Sequence, residues 1–320
     1  MSLTIPGREL AVWRHQAIRE AVAAAVSPQE VDWFLQEVTE LDRLSLRLES
    51  FRERTVTLKR PLTVLTEQWQ HRLQERIPLQ YLVGTAPWRD FKLQVSPAVL
   101  IPRPETEQLI DLAKSAVEQS PLAAGPWVDL GTGSGAIALG LAAAFPHATV
   151  HAVDCSQAAL TIAQENAARL GLEHRIRFYL GSWWSPLEEL KGQVCGLVAN
   201  PPYIPTALIA ELQPEVAHEP QLALDGGQDG LSHIRHLVHS APHYLVPGGI
   251  WLVEMMAGQG EAVRHLLAQQ GSYSQIQIIP DLAGLDRYAL AQVSNPVTSV
   301  DDSSLAASDF VNQSSQKTYS

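Results

Sequence analysis

A chain of 320 residues with 46% hydrophobic and 18% charged residues can bury a sizeable core, and its length suits two domains. No stretch approaches the roughly 20 uninterrupted apolar residues of a membrane span, and the N-terminus lacks the basic-then-apolar order of a secretory signal, so a soluble cytoplasmic protein is expected. The formal net charge of -11 argues against a chain that grips a nucleic-acid backbone, because phosphate neutralisation calls for a basic face.

Residues 8–26 carry helical periodicity and strong helix formers. Ser27-Pro28-Gln29-Glu30 then predicts a second helix start. Ser27 caps, Pro28 stands where a missing N–H costs nothing, and Glu30 reaches back to the cap. Val31, Phe34, Leu35 and Val38 form the apolar stripe of that helix. With further helical patterns over 41–51 and 62–76, residues 1–80 are expected to form an all-helical bundle. The pattern changes at Pro78. Residues 88–95 alternate as a half-buried strand does, and 99–101 follow a turn at Pro97, which predicts a linking β-hairpin within 81–105.

From Thr106 helices and strands alternate. Helices are predicted over 107–118, 136–144, 157–170, 231–240 and 261–270. Strands are predicted over 127–130, 149–153, 176–180, 196–199, 249–254 and 274–279, with 288–293 as a last antiparallel strand. The expectation for 106–294 is an α/β domain, a doubly wound, mostly parallel seven-stranded sheet binding its ligand at the carboxyl ends of the strands. Residues 295–320, rich in Ser, Asp and Gln, predict a disordered tail. Cys155 and Cys195 match no metal or redox spacing. His233, His236, His239 and His243 lie near one helix face, but Pro242 interrupts it and no Cys or paired carboxylate joins them, so no metal site is expected.

Asp129-Leu130-Gly131-Thr132-Gly133-Ser134-Gly135 sits between a predicted strand and a predicted helix. Its glycines let the backbone turn tightly and approach a ligand. Asp154, about 20 residues on, ends the next strand where a carboxylate can take two ribose hydroxyls. A dinucleotide fold wants G-x-G-x-x-G for its pyrophosphate, whereas this spacing is G-x-G-x-G. The acidic Asp129 suits a ligand carrying an ammonium group, such as the methionine part of S-adenosylmethionine, better than an anion. In Gly181-Ser182-Trp183-Trp184 an aromatic ring can stack on adenine, or both tryptophans can anchor a core edge.

Asn200-Pro201-Pro202-Tyr203 follows the strand at 196–199. An amide nitrogen is a poor nucleophile, because its lone pair is delocalised into the carbonyl. A site that methylates it must hold the NH2 group as a double donor. The Asn200 side-chain oxygen offers one acceptor and the Pro201 carbonyl a second. The two prolines stiffen the loop, and Tyr203 gives a flat surface to a planar group. Orientation and electrostatics then carry the rate.

Together with this tetrapeptide and the glycine loop, several segments resemble the HemK/PrmC-type protein-(glutamine-N5) methyltransferases. They are Val99-Leu100-Ile101-Pro102-Arg103-Pro104-Glu105-Thr106-Glu107, Gln80-Tyr81-Leu82-Val83-Gly84, Ala223-Leu224-Asp225-Gly226-Gly227 and Asp281-Leu282-Ala283-Gly284-Leu285-Asp286-Arg287. The likeness runs from about Gln80 to about Val293. It implies a class I S-adenosyl-L-methionine-dependent methyltransferase with a helical docking domain. The implied acceptor is the glutamine of the Gly-Gly-Gln loop of class I peptide chain release factors. By position, Gly131, Thr132, Gly133, Ser134, Gly135, Asp154, Trp183 and Asn200 would contact the cofactor, and Asn200, Pro201, Pro202 and Tyr203 the glutamine. Departures from the family pattern are Ser182 in place of Asp, Trp184 in place of Phe, and Met255-Met256 after Glu254 in place of Ile-Gly. Arg103 offers either a grip on the substrate backbone or a pairing with Glu105 and Glu107, and the structural pairing is expected because Pro102 and Pro104 fix it rigidly. A monomer without direct nucleic-acid or membrane contact is expected. The alternatives are a ribosomal-protein glutamine methyltransferase and an adenine-N6 methyltransferase acting on a flipped base, with a non-catalytic cofactor sensor further off.

Overall fold

A computed structural model of the chain describes residues 3–294, so the tail expected at 295–320 lies outside the described residues. The N-terminal region runs β1 (Leu3–Pro6), α1 (Gly7–Ala23), α2 (Gln29–Val38), α3 (Arg43–Leu48), β2 (Thr55–Leu58), α4 (Leu62–Gln74) and α5 (Leu79–Val83). The helices match the periodicity, but the region is not all-helical. β1 and β2 pair antiparallel, with Ile5 opposite Val56. Thr55-Val56-Thr57-Leu58 alternates exposed and buried, and two of its residues are β-branched threonines that favour strand. Four residues with a partner far away in sequence give too short a pattern to be read from the sequence.

The expected capping box at Ser27 does not form. Pro28 is the N-cap of α2 and makes no side-chain cap bond. Glu30 instead takes Arg72 Nε at 2.6 Å and Nη2 at 2.9 Å. A two-pronged, charge-assisted pair with a guanidinium that is only 5% exposed outcompetes one backbone amide.

β3 (Thr85–Trp88) and β4 (Phe91–Gln94) form the linking hairpin. It lies earlier than expected, and residues 99–101 are not a strand. Val99 and Ile101 pack as side chains against Ala86, Val95 and Ala159, and Pro102 removes a ladder donor beside them.

The second domain runs α6 (Gln108–Ala116), β5 (Pro126–Leu130), α7 (Ala136–Ala144), β6 (Thr149–Asp154), α8 (Gln157–Arg169), β7 (Ile176–Leu180) and β8 (Val194–Ala199). It continues with α9 (Ser232–Ser240), β9 (Leu245–Glu254), α10 (Gly260–Gln270), β10 (Tyr273–Pro280) and β11 (Asp286–Val293). The seven strands order as β10-β11-β9-β8-β5-β6-β7. β9, β8, β5, β6 and β7 pair in parallel, while β11 is antiparallel to both β9 and β10. β11 is thus inserted between two strands rather than added at an edge. The chain winds outward from β5 through β6 and β7, then returns to β8 on the other side of β5. That reversal opens a crevice at the carboxyl ends of β5 and β8, the place where such sheets hold ligands.

Apolar cores cover both faces of the sheet, one around Trp127, Ile110 and Leu139, the other around Leu130, Leu197 and Trp251. Gly196 in β8 makes room for Trp127, since an added Cβ would stand 2.3 Å from the indole. Trp127 has no easy escape. Its ring stacks on Phe145 at 4.7 Å, and its Nε1 donates to the Leu122 carbonyl at 3.0 Å. Gly196→Ala is therefore expected to cost about 1–3 kcal/mol in urea unfolding, and an unchanged midpoint would contradict this packing.

Candidate active site

The glycine loop leaves β5 with positive φ at Gly131 (81°), Gly133 (54°) and Gly135 (86°). At Gly135, the N-cap of α7, an added Cβ would lie 3.1 Å from the Ala163 Cβ, so the loop can pass close over α8 only with glycine there. Gly131 and Gly133 line a cavity of about 240 Å3, together with Asp154, Ser182, Trp183, Asn200 and Pro202. Around Gly133 an added Cβ would meet nothing within 4 Å, so the backbone there is open to a ligand.

The other loop residues do not line the cavity. Thr132 and Ser134 are buried. The Thr132 hydroxyl donates to Asp129 Oδ2 at 2.6 Å, and the Ser134 carbonyl accepts from Asn166 Nδ2 at 2.9 Å. Both shape the turn from behind. Asp129 corrects the reading of its charge as an ammonium partner. It is 0% exposed, and Oδ2 also accepts from the Ala138 amide at 3.0 Å. Burial pushes its carboxyl up to about 7. It ties the loop to the first turn of α7.

Asp154 ends β6 on the cavity wall. Oδ2 accepts from the Gly133 amide at 2.9 Å and Oδ1 from the Ser156 amide at 2.8 Å. Each oxygen keeps a lone pair for a further donor, such as a ribose hydroxyl. The two tryptophans divide the roles left open by the sequence. Trp184 is buried and stacks on Tyr244 at 4.3 Å, a core role. Trp183 lines the cavity at φ 52°, a conformation unusual for a bulky residue, and its ring leans on His233 at 5.2 Å and His236 at 6.2 Å. An open glycine backbone, a diol-ready carboxylate and a flat aromatic face fit the nucleoside and amino-acid arms of S-adenosylmethionine.

The reacting loop meets this cavity through Asn200. Its Nδ2 donates to Thr106 Oγ1 at 3.1 Å, which leaves Oδ1 as the amide's uncommitted polar atom. The Thr106 hydroxyl in turn donates to Glu254 Oε2 at 2.7 Å. Pro202 lines the cavity, whereas Pro201 is buried beside it and Tyr203 packs against the core on the β8–β9 side. The Tyr203 hydroxyl donates to Glu254 Oε1 at 3.1 Å, and its carbonyl accepts from Gln259 Nε2 at 3.0 Å. Burial holds the Tyr203 phenol protonated well above its ordinary range and pushes the Glu254 carboxyl up to about 7.

Thr106, Glu254 and Gln259 were not singled out by the sequence reading. A signal existed: Ile250-Trp251-Leu252-Val253-Glu254 is an apolar strand ending in one acid, beside the strand that leads into Asn200. Arg103 is also corrected. It pairs with Glu219 Oε2 at 2.6 Å, not with Glu105 or Glu107. Glu107 is turned to the Arg89 amide, 2.9 Å away.

The methyltransferase small domain family matches residues 110–218. Over 292 residues the chain is 52% identical to the release factor glutamine methyltransferase of Synechocystis sp., covering 90% of this chain and 97% of that protein. It is 50% identical over 289 residues to the release factor glutamine methyltransferase of Thermosynechococcus vestitus, covering 89% of this chain and 99% of the relative. Among solved structures, the hMettl16 catalytic domain in complex with MAT2A 3'UTR hairpin 6 aligns with a TM-score of 0.53 at 14% identity. That alignment covers 81% of this chain and 88% of the other, and it shows a shared fold alone. The agreement of cavity chemistry, sheet order and near-full-length identity makes this chain a member of the release factor glutamine methyltransferase family.

Proposed function

We propose that this chain methylates the side-chain amide nitrogen, N5, of the glutamine in the Gly-Gly-Gln loop of class I peptide chain release factors, with Asn200–Tyr203 holding the acceptor. The carrying observation is that Asn200 shares one cavity with Gly131, Gly133, Asp154 and Trp183, on a chain about half identical to such enzymes along nearly its whole length. S-adenosylmethionine supplies the electrophilic methyl group.

The chain's own residues do the rest. Gly131 and Gly133 offer open backbone, Asp154 takes the ribose hydroxyls, and the Trp183 ring covers the adenine. Thr132, Ser134 and Gly135 keep the loop in that shape. Asn200 Oδ1 and the Pro201 carbonyl accept the two N–H bonds of the glutamine amide. Held this way, the nitrogen turns its lone pair out of conjugation and toward the methyl carbon. Pro201 and Pro202 limit the loop's freedom, so little order is lost on binding. Tyr203 bounds the amide plane. No strong base is needed first, since methylation acidifies the remaining nitrogen protons.

The N-terminal region, residues 1–80, docks the body of the release factor, and the hairpin within 81–105 joins it to the catalytic domain at 106–294. One copy of the chain suffices, acting in the cytoplasm without direct contact to nucleic acid. No helix among the described residues is long and apolar enough to cross a membrane.

Methyl-labelled S-adenosylmethionine, offered with a release factor, the same factor lacking its loop glutamine, ribosomal protein or duplex DNA, tests the assignment. Label on the intact factor alone is expected; label on DNA with none on the factor would overturn it. Asn200→Ala should lower kcat by at least about 100-fold while part of the cofactor affinity survives. Near-native turnover in that variant refutes the double-acceptor mechanism. Trp183→Ala should weaken cofactor binding by about tenfold in calorimetry, and unchanged affinity would remove the stacking role.

A further inference from the structure

We propose that Thr106 and Glu254 are positioning residues that fix which end of the Asn200 amide meets the substrate. The inference rests on the proposed double-acceptor role of Asn200 and explains how that role is enforced.

An asparagine amide has an acceptor end and a donor end of nearly the same shape. Only the oxygen can receive an N–H from glutamine; a flipped Asn200 would point its own N–H bonds at the substrate's. The neighbours decide between the two. Glu254 is 1% exposed at the end of β9, and β9 runs parallel to β8 with Ala199 opposite Val253, so it stands next to Asn200. An ionised carboxylate only accepts. Thr106, 2.7 Å from Oε2, must therefore give its single proton to Glu254. That leaves only lone pairs on the Thr106 oxygen for Asn200, 3.1 Å away, and only Nδ2 can satisfy them. The flipped amide would set two acceptors against each other in a buried site. A group left unsatisfied in that way disfavours the flipped form by roughly 10- to 100-fold.

The same carboxylate holds the second half of the reacting loop. Oε1 takes the Tyr203 hydroxyl at 3.1 Å, so one side chain fixes both Asn200 and the ring of Tyr203. Gln259 adds a bond to the Tyr203 carbonyl at 3.0 Å. Thr106 belongs to the turn before α6, Glu254 to β9 and Asn200 to the end of β8, so the relay joins segments 94 and 148 residues apart in sequence. None of this is visible in any one motif.

The relay depends on the charge of Glu254. Burial, with a smaller push from Glu105, raises its carboxyl to about 7 against the hydrogen bonds from Thr106 and Tyr203 and the charge of Arg287. Arg287 is also held by Asp281 at 3.2 Å, and the buried Tyr288 hydroxyl lies in the same field. With its pKa raised, the carboxyl loses its charged form as pH falls through about 7. Protonated Glu254 no longer demands the Thr106 proton, and the preference for one amide orientation is relaxed.

The test uses the full chain, a release factor and S-adenosylmethionine. Thr106→Val removes the hydroxyl at nearly constant shape. It should lower kcat by about 10- to 100-fold, with cofactor Kd and factor KM within about twofold of native. Thr106→Ser restores the hydroxyl and should rescue kcat to within about threefold. The native kcat should fall as pH is lowered through about 7, and Glu254→Gln, which cannot change charge, should lose that step. Native turnover in Thr106→Val, or a Ser variant as slow as the Val variant, overturns the relay. If Thr106→Val does not fold, the pH step decides, and its persistence in Glu254→Gln overturns the relay. An active Asn200→Ala would instead remove the double-acceptor role on which the relay rests, whereas an inactive Asn200→Ala beside an unimpaired Thr106→Val removes only the relay.

Discussion

An amide nitrogen reacts as a nucleophile only when its hydrogens are held and its lone pair is freed from the carbonyl, and the site proposed at the carboxyl edge of this sheet answers that constraint. β5 supplies the glycine turn and β8 the Asn200 loop, as adjacent parallel strands whose connections leave in opposite directions. The cofactor side and the acceptor side therefore meet without either backbone leaving its sheet. The backbone ladder fixes the spacing of those two strands, and Gly196 leaves room for the Trp127 indole opposite it so that the ladder is undisturbed.

The acceptor side is also tied to the N-terminal region. Glu215, in the segment that follows the reacting loop, takes Arg72 at 2.9 Å and Arg76 at 2.7 Å. Arg72 is held at the same time by Glu30 from α2. Glu219 in that segment takes Arg103 from the linker after the hairpin. These pairs are largely shielded from water, so they are less weakened by salt than surface pairs and hold the segment against the helices. If the helical region docks the release factor, the same contacts hold the docking surface in register with the cavity.

The sequence disclosed the fold where periodicity and punctuation agreed. α7 begins and ends at the expected residues because Gly135 stops the loop and an apolar run follows it without interruption. β7 is likewise bounded as expected. The hairpin was displaced because Trp88 and Val95 alternate with polar neighbours on both sides of the true turn at Arg89-Asp90. β1 and β2 were missed because a short edge pair carries its information in a distant partner. In the candidate site, Asp154, Trp183 and Asn200 were expected at or just past strand ends, and all three line one cavity there. The burial of Asp129 was not legible, because packing decides it; its Oδ2 takes the Thr132 hydroxyl, while its Oδ1 has no hydrogen-bond partner among the described residues. Glu254 and Thr106 act through a proton order that only three-dimensional neighbours reveal.

The most direct measurement is tandem mass spectrometry of the Gly-Gly-Gln peptide from a release factor incubated with this chain and S-adenosylmethionine. One added methyl group confined to the glutamine side chain, and missing when the chain is left out, is the expected result. A methyl group on another residue, or an unmodified peptide under saturating cofactor, would contradict the assignment.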